Sequence, residues 1–218
     1  MPKILLTGFQ AYAGSHINPA AEVVRALDGA EIGRGVVRGL HLPVMLDTAR
    51  DLLEQAIAEI RPDLVLSVGQ WPGEPVIRVE RFAVNKTSFE IPDELGQRPS
   101  DQLVDETGPV ARAASVPVAK IVDALLEKGI PARTSDTAGT FLCNTILYRA
   151  LGACERLGNG ALCGFVHVPY LPEQAAKIIR DLKAEGKLEL HQRADLASMS
   201  LDMMTVAVRT AITITLED

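Results

Sequence analysis

The chain has 218 residues, of which 47% are hydrophobic and 23% are charged, and its formal net charge at neutral pH is -6. This is ordinary globular composition, and a chain of this length buries enough apolar surface to need no disulfide or metal staple. The acidic balance argues against a nucleic-acid partner, and no segment approaches the roughly 18–20 apolar residues of a membrane span. We therefore expect a protein that binds neither nucleic acid nor a membrane.

Strand and helix patterns alternate in the first part of the chain, which is typical of a layered α/β fold. Asn18 and Pro19 predict a helix start, with Asn18 as N-cap and Pro19 at the first helical position. Apolar residues at helical spacing predict a second helix over 46–60, which Pro62 ends. Strands are predicted at residues 3–8, 35–44 and 63–69.

The middle of the chain departs from this alternation. Residues 76–84 alternate apolar and polar side chains, which predicts a half-exposed hairpin strand. Residues 86–115 are rich in proline, glycine and acidic side chains, and an irregular connection of this length is usually functional or disordered. We interpret residues 86–115 as a mobile flap beside the site.

The last part of the chain returns to regular elements. A helix that ends at Gly129 is followed by predicted strands around 132–138 and at 161–168. Residues 172–197 are interpreted as a polar surface insertion that contains a helix. Ser200 is predicted to cap the final helix of the chain.

No repeat or linker divides the sequence, so we predict a single domain over residues 1–218. Residues 8–14 (GFQAYAG) follow a strand but lack the G-x-G-x-x-G spacing of a dinucleotide site, and the sequence has neither a Walker P-loop nor a GxSxG elbow. Because the histidines also lack metal-ligand spacing, we expect neither a metal nor a cofactor. The four histidines are His16, His41, His167 and His191.

Cys143 is the first candidate for chemistry. It follows a strand and a glycine at the start of an amphipathic helix, and Thr140 as N-cap would place it in the first helical turn. There the helix dipole and free backbone N–H groups favour an anion, so we expect a lowered thiol pKa and an oxyanion site. A buried structural cysteine also fits this position, and it is our interpretation for Cys154 and Cys163. The odd number of cysteines without CxxC spacing predicts reduced thiols in the cytoplasm.

His167 and Glu80 are the other candidates. His167 ends a predicted strand, and catalytic groups in open α/β sheets collect at the carboxyl ends of strands, where the helix bearing Cys143 also begins. Glu80 could orient an imidazole, because a Cys–His pair needs a third group to fix the tautomer. Each residue has a plain alternative: His167 as a structural histidine, and Glu80 as a solvated charge between Arg78 and Arg81.

These residues lie within five separated motifs: LLTGFQAYAG at 5–14 with NP at 18–19, SVGQ at 67–70, VERFAVN at 79–85, AGTFLCN at 138–144 and FVHVPYLPEQ at 165–174. In this order the motifs resemble those of the pyrrolidone-carboxylate peptidases, also called pyroglutamyl peptidase I, a family of cysteine peptidases. The likeness covers nearly the whole chain.

The resemblance implies a three-layer α/β/α sandwich around a mixed twisted sheet, assembled as a homodimer or homotetramer. It implies hydrolysis of the bond after an N-terminal pyroglutamyl residue, with Cys143 as nucleophile, His167 as base and Glu80 as orienting carboxylate. It also implies a pocket for the pyroglutamyl ring, in which aromatic rings would contact the flat lactam and Gln70 would hydrogen-bond it. The implied pocket residues are Phe9, Tyr12, Gln70, Ile91, Phe141 and Leu142.

One position departs from the family pattern. The family has an arginine near the oxyanion where this chain has Glu90, and loss of one oxyanion donor typically costs about 3–4 kcal/mol of transition-state stabilisation. Activity could survive if the flap swings away or if Arg78, Arg81 or Arg98 takes over. The alternative is a catalytically weakened relative that holds a pyroglutamyl ligand. A nucleoside phosphorylase is a second alternative, which rests only on a related sheet architecture.

Overall fold

The computed structural model of the chain describes residues 1–12, 14–186 and 196–218. The described strands are β1 (Lys3–Phe9), β2 (Glu31–Ile32), β3 (Gly35–Leu42), β4 (Leu64–Gln70), β5 (Ile77–Glu80), β6 (Phe82–Val84), β7 (Ala111–Ala113), β8 (Ala132–Ser135) and β9 (Leu162–Val168). The described helices are α1 (Pro19–Leu27), α2 (Leu46–Ile60), α3 (Val118–Glu127), α4 (Leu142–Leu157), α5 (Pro172–Ala184) and α6 (Leu201–Glu217).

The main sheet has the strand order β2-β3-β1-β4-β9-β5-β8, while β6 and β7 form a separate small sheet. Strands β3, β1, β4 and β9 are parallel neighbours, so their carboxyl ends meet at one edge. Strand β5 runs antiparallel to β9 and parallel to β8, which makes the sheet mixed. This edge of the sheet is where the candidate site lies.

Helices cover both faces of the sheet. Buried side chains of α1, α3 and α6, such as Val24, Ile121 and Val208, form one core with one face. Buried side chains of α2 and α4, such as Leu53 and Ile146, form a second core with the other face. The predicted three-layer α/β/α sandwich around a mixed sheet is therefore confirmed.

The predicted half-exposed hairpin strand over 76–84 is wrong for β5, whereas β6 is half-exposed and pairs with β7 in an antiparallel manner. All four residues of β5 are buried, and β5 pairs with β9 and β8 inside the main sheet. The polar positions of the alternation face inward because their charges pair with each other: Arg78 Nε lies 3.2 Å from Glu80 Oε1. An alternation of apolar and polar residues indicates that the polar side chains face solvent only when they have no partners inside the fold.

The helix starts agree with prediction at two of three capping positions. Asn18 Oδ1 accepts a hydrogen bond from Ala20 N, and Ser200 Oγ accepts one from Met203 N. Thr140 does not cap α4. Phe141 is the N-cap residue, and the Thr140 hydroxyl instead donates to a carbonyl of the flap segment.

The flap segment, residues 86–115, contains only β7 as a regular element among its described residues. Its beginning is held at the start of α4: the Asn144 amide donates to Lys86 O at 2.9 Å, and Ser88 N donates to Thr140 O, just before α4, at 2.9 Å. The Asn144 amide also donates to Val84 O of β6 at 2.9 Å. The mobility of this segment stays a prediction.

Residues 172–197, predicted as a surface insertion, begin with α5. Gln174 and Ala175 are buried, so the first turn of this helix packs against the body of the protein. The rest of the predicted insertion includes residues 187–195, and with them His191, which lie outside the described residues. Over the part of the chain that is described, no helix is both long enough and apolar enough to cross a bilayer.

Candidate active site

A cavity of about 370 Å³ lies where the carboxyl ends of β1, β4 and β9 meet the start of α4 and the flap segment. Cys143 and His167 both line it, together with every residue predicted for the ring pocket. The lining residues are Phe9, Tyr12, Asn18, Val44, Gln70, Trp71, Pro72, Ser88, Glu90, Ile91, Ala138, Gly139, Thr140, Phe141, Leu142, Cys143 and His167.

Cys143 is the second residue of α4, so it lies in the first helical turn as predicted. Its sulfur sits directly over Gly69 of β4: a Cβ atom added at Gly69 would lie 2.8 Å from Sγ and 2.8 Å from the Phe165 ring. Only glycine leaves room for both. Gly69 is also the register partner of His167 in the neighbouring strand, so the thiol and the imidazole are brought to adjacent strands at one level of the sheet.

His167 forms a buried pair with Glu80. The imidazole Nδ1 lies 2.8 Å from Glu80 Oε1, and the two side chains are 1% and 0% exposed. Because an ionised carboxylate can only accept, this contact places the proton on Nδ1 and leaves Nε2 with a free lone pair. An imidazole in this tautomer can act as a base toward a group in the cavity.

Arg78 completes a buried charge cluster beneath the imidazole, and sequence reasoning missed this role. Its guanidinium contacts Glu80 at 3.2 Å and Glu74 at 3.5 Å, and it donates to Ser135 Oγ and Thr137 O at 2.6 Å each. The cluster keeps a countercharge next to Glu80, whose second oxygen has no hydrogen-bond partner among the described residues. A signal was present in the sequence, because Arg78 and Glu80 share one face of a strand.

Trp71 links this cluster to the cavity. The guanidinium carbon of Arg78 lies 3.7 Å from the centroid of a Trp71 ring, and the indole meets the His167 ring nearly edge-on with centroids 5.0 Å apart. The cation thus lies over the indole face, and the indole meets the imidazole in a T-shaped contact. Trp71 was not predicted, although it is the only tryptophan of the chain and directly follows Gln70 at the end of β4.

The expected lowering of the Cys143 pKa is wrong. Burial, and secondarily the negative charge of Glu80, raises the pKa of Cys143 to about 12, which outweighs the favourable helix N-terminus. Burial also lowers the pKa of His167, although the hydrogen bond to Glu80 opposes this. Both groups are therefore uncharged at neutral pH, and a proton must move from sulfur to nitrogen during the reaction itself.

Aromatic rings form one wall of the cavity. The Phe141 ring packs against Phe89 with centroids 4.3 Å apart and stacks on Tyr12 at 6.4 Å. Phe9 is 5% exposed and Leu142 is 1% exposed, so both also belong to the core. Such a wall suits a flat, uncharged ring of the size of a five-membered lactam. Further wall residues that the sequence did not indicate include Val44, Pro72, Ser88 and Thr140.

The rim of the cavity carries Glu90 and Ile91, both of which are exposed. None of the lining residues in the described chain is a lysine or an arginine. The arginines that were considered as substitutes have other partners: Arg78 lies in the buried cluster, Arg81 Nε donates to Asp136 at 2.6 Å, and Arg98 Nε donates to Phe89 O at 3.2 Å.

Cys154 and Cys163 lie apart from this chemistry. They are 6% and 0% exposed, and they pack together between α4 and β9 in the core. Neither lines the cavity. All three cysteines of the chain are free thiols.

Comparison with known proteins identifies relatives of this architecture. The family model described as pyroglutamyl peptidase matches residues 2–218. A pyrrolidone-carboxylate peptidase of Pyrococcus furiosus is 38% identical over 216 residues, which cover 99% of both chains. One from Cupriavidus pinatubonensis is 39% identical over 217 residues, which cover 99% of this chain and 94% of that protein.

Solved structures match equally well. The structure of pyrrolidone carboxyl peptidase from Thermococcus litoralis superposes with a TM-score of 0.91 at 34% identity and covers 100% of this chain and 94% of that one. The structure of Bacillus amyloliquefaciens pyroglutamyl peptidase I gives a TM-score of 0.89 at 32% identity, with coverage of 100% and 98%. Fold and sequence thus point to the same group of proteins.

Proposed function

The chain belongs to the pyroglutamyl peptidase family, and from this premise we propose that it hydrolyses the peptide bond after an N-terminal pyroglutamyl residue through a thioester on Cys143. Membership makes the chain a cysteine-type peptidase that acts at a chain end. The substrates are peptides that begin with pyroglutamate. The observation that carries the proposal is that a thiol, an imidazole backed by a carboxylate and an aromatic-walled pocket share one cavity.

The first half of the reaction uses the neutral resting pair. His167 Nε2 takes the proton of the Cys143 thiol as the sulfur attacks the pyroglutamyl carbonyl, and Glu80 stabilises the imidazolium that forms. The carbonyl oxygen becomes an oxyanion, which accepts from the unpaired N–H groups in the first turn of α4. Collapse of this intermediate breaks the C–N bond, and the imidazolium gives its proton to the leaving amine.

The second half releases pyroglutamate. Water gives a proton to His167 Nε2 and attacks the thioester carbonyl, and the returning proton restores the Cys143 thiol when the C–S bond breaks. The imidazole thus takes up one proton and releases one proton in each half of the reaction, and the reaction needs no cofactor. The thiol must be reduced, because an oxidised sulfur cannot attack, which supports a cytoplasmic location.

The test is steady-state hydrolysis of a fluorogenic pyroglutamyl arylamide. The wild-type protein should turn the substrate over, and Cys143→Ser should lower kcat by more than about 10³-fold. Cys154→Ala is the matched control, since this thiol lies outside the cavity, and it should retain activity. Undiminished turnover by Cys143→Ser, with both variants folded by circular dichroism, would refute the nucleophile.

A second candidate is a relative that binds pyroglutamyl peptides but cleaves them poorly. Glu90 favours it, because a carboxylate at the rim, without a cation among the described lining residues, opposes a developing oxyanion. Calorimetric binding of pyroglutamyl dipeptides together with kcat below about 10⁻² s⁻¹, against a typical enzyme value near 10 s⁻¹, would favour this candidate.

We also propose that the single domain over residues 1–218 assembles as a homodimer or homotetramer. The support for this proposal is the resemblance of the whole chain to the pyroglutamyl peptidase family. Sedimentation velocity measures the state directly. A single species with the mass of one chain at micromolar concentration would contradict this proposal.

A further inference from the structure

Gln70 lies on a partition between two cavities. One is the candidate active site, and the other is an adjoining cavity of about 260 Å³ beside α5. Gln174, from the first turn of α5, lines only the second cavity and is 6% exposed. It therefore reaches Gln70 from the side away from the reacting groups.

Two backbone groups fix the orientation of the Gln174 amide. Its Oε1 accepts from Leu171 N at 2.9 Å, and its Nε2 donates to Ile17 O at 3.1 Å. A backbone N–H can only donate and a backbone carbonyl can only accept, so a flipped amide at Gln174 would lose both bonds and oppose like groups. The nitrogen of Gln174 must therefore face Ile17.

The same nitrogen determines how Gln70 is oriented. Gln174 Nε2 donates to Gln70 Oε1 at 3.2 Å. Because Gln70 must offer its oxygen to this donor, its NH2 group is left to line the active-site cavity. Two backbone groups thus fix the amide of Gln174, and Gln174 in turn fixes which end of the Gln70 amide faces the active-site cavity.

We propose that Gln174 is a positioning residue that holds Gln70 as a hydrogen-bond donor, so that the site selects its substrate by the ring carbonyl of the lactam. This inference rests on the proposed function, since the lactam is its ligand. A prolyl ring lacks that carbonyl and leaves the Gln70 donor unpaired, so it is rejected. In this proposal the Gln70 side chain hydrogen-bonds the ring carbonyl of the lactam and not the lactam N–H.

The experiment compares two ligands that differ in the ring acceptor. Wild-type protein is titrated calorimetrically with 5-oxoprolinamide and with 5-thioxoprolinamide, whose sulfur is a poorer acceptor but whose N–H is a stronger donor. The corresponding arylamides give KM and kcat. The wild-type protein should bind the oxo compound about 10-fold more tightly.

Two variants at Gln174 sharpen the test. Gln174→Met has similar length but cannot donate, and it should raise KM for the oxo substrate about fivefold, with kcat within twofold and the oxo preference lost. Gln174→Glu presents only acceptors once its carboxyl is ionised, and because burial disfavours ionisation this variant is measured at about pH 9 as well as at neutral pH. In the ionised variant Gln70 turns its NH2 group toward the new carboxylate and its oxygen toward the ring. The preference should then reverse in favour of the thioxo compound.

The outcomes separate the two hypotheses. Equal binding of both compounds by the wild-type protein, or an unchanged oxo preference in folded Gln174→Met, overturns the role of Gln174 whether or not peptides are cleaved. An oxo preference in binding that is lost in Gln174→Met, without cleavage of either arylamide, would support the role of Gln174 and refute the proposed hydrolysis. A parallel fall of kcat for both substrates, without a change in preference, would show a purely structural role for Gln174.

Discussion

The floor and the rim of the cavity carry charge in opposite ways. The floor is the buried layer beneath the cavity, which we define as Glu74, Arg78, Glu80 and His167, and of these His167 lines the cavity. The ionisable groups of the floor are buried and contact one another over 2.8–3.5 Å. On the rim, Glu90 is exposed and faces a cavity whose described lining residues include no lysine or arginine. Removing a charge on the floor should therefore affect both the stability of the fold and the reaction. The charge on the rim acts on the reaction only through screening water. Changes on the floor should therefore be severe, and changes on the rim should be mild.

The largest effect is expected at Glu80. Glu80→Gln keeps the shape of the side chain but can donate to Nδ1, which favours the tautomer whose proton lies on Nε2 and so removes the base. Replacing the carboxylate of a Ser-His-Asp triad by an amide lowers kcat by about 10⁴-fold, and we expect a loss of 10³- to 10⁴-fold here. Arylamide hydrolysis measures it. Activity within tenfold of wild type in a folded variant would mean that Glu80 does not orient the base.

The next effect is on stability. Arg78→Met removes the cation between Glu74 and Glu80, and breaking a buried charge cluster typically costs about 3–5 kcal/mol of unfolding free energy. Urea denaturation measures this cost. The matched control is Arg81→Met, whose partner Asp136 is exposed, so the cost should be below about 1 kcal/mol.

The stability prediction is contradicted if the two arginine variants unfold at the same urea concentration. Equal midpoints would mean that the floor cluster is solvated in the folded protein. The comparison between floor and rim would then lose its physical basis.

A smaller effect is expected on the rim. Glu90→Gln removes a negative charge near the reacting carbonyl and should raise kcat/KM severalfold, and Glu90→Arg should raise it about tenfold without a large change in stability. The gain should shrink in 0.5 M salt, because exposed charges are screened. Glu94→Gln on the same segment is the control, since Glu94 is exposed but does not line the cavity. Slower turnover by Glu90→Arg would assign Glu90 a positive role in catalysis.

The smallest effect is a displacement of the pH profile. The pKa of His167 is lowered chiefly by burial, so the base stays unprotonated below the ordinary histidine value of about 6.5. The acid limb of kcat/KM should therefore have its midpoint below pH 6.5. A histidine in the unfolded chain is protonated at a higher pH than His167 in the folded protein. The contribution of His167 to stability is therefore complete above about pH 6.5 and decreases as the pH falls through the lowered pKa. A midpoint above pH 7 would contradict this burial argument.

Part of this site follows from local sequence rules. Cys143 and His167 could be assigned to one sheet edge because the carboxyl ends of parallel strands meet there and a helix begins beside them. Asn18 could be assigned as a cap because short polar side chains satisfy free N–H groups. The layered fold follows from the same alternation of elements.

The rest depends on long-range pairing. Glu80 is buried because β5 lies between β9 and β8 in the sheet, and the local sequence pattern does not predict this place for β5. Thr140 lost the capping role to Phe141 because the flap carbonyl of Ser88 takes its hydroxyl. The pKa of Cys143 was predicted with the wrong sign because the helix N-terminus is visible in the sequence, whereas the surrounding desolvation is not.

The central claim is that the sulfur of Cys143 carries the acyl group during turnover. Acid quenching during hydrolysis of an activated pyroglutamyl ester, followed by mass spectrometry of the protein and its peptides, tests this claim most directly. We predict a mass increase of one pyroglutamyl group on the peptide that contains Cys143, and none in Cys143→Ala. Steady turnover with no such adduct, or an adduct on Cys154 or Cys163, would contradict the account.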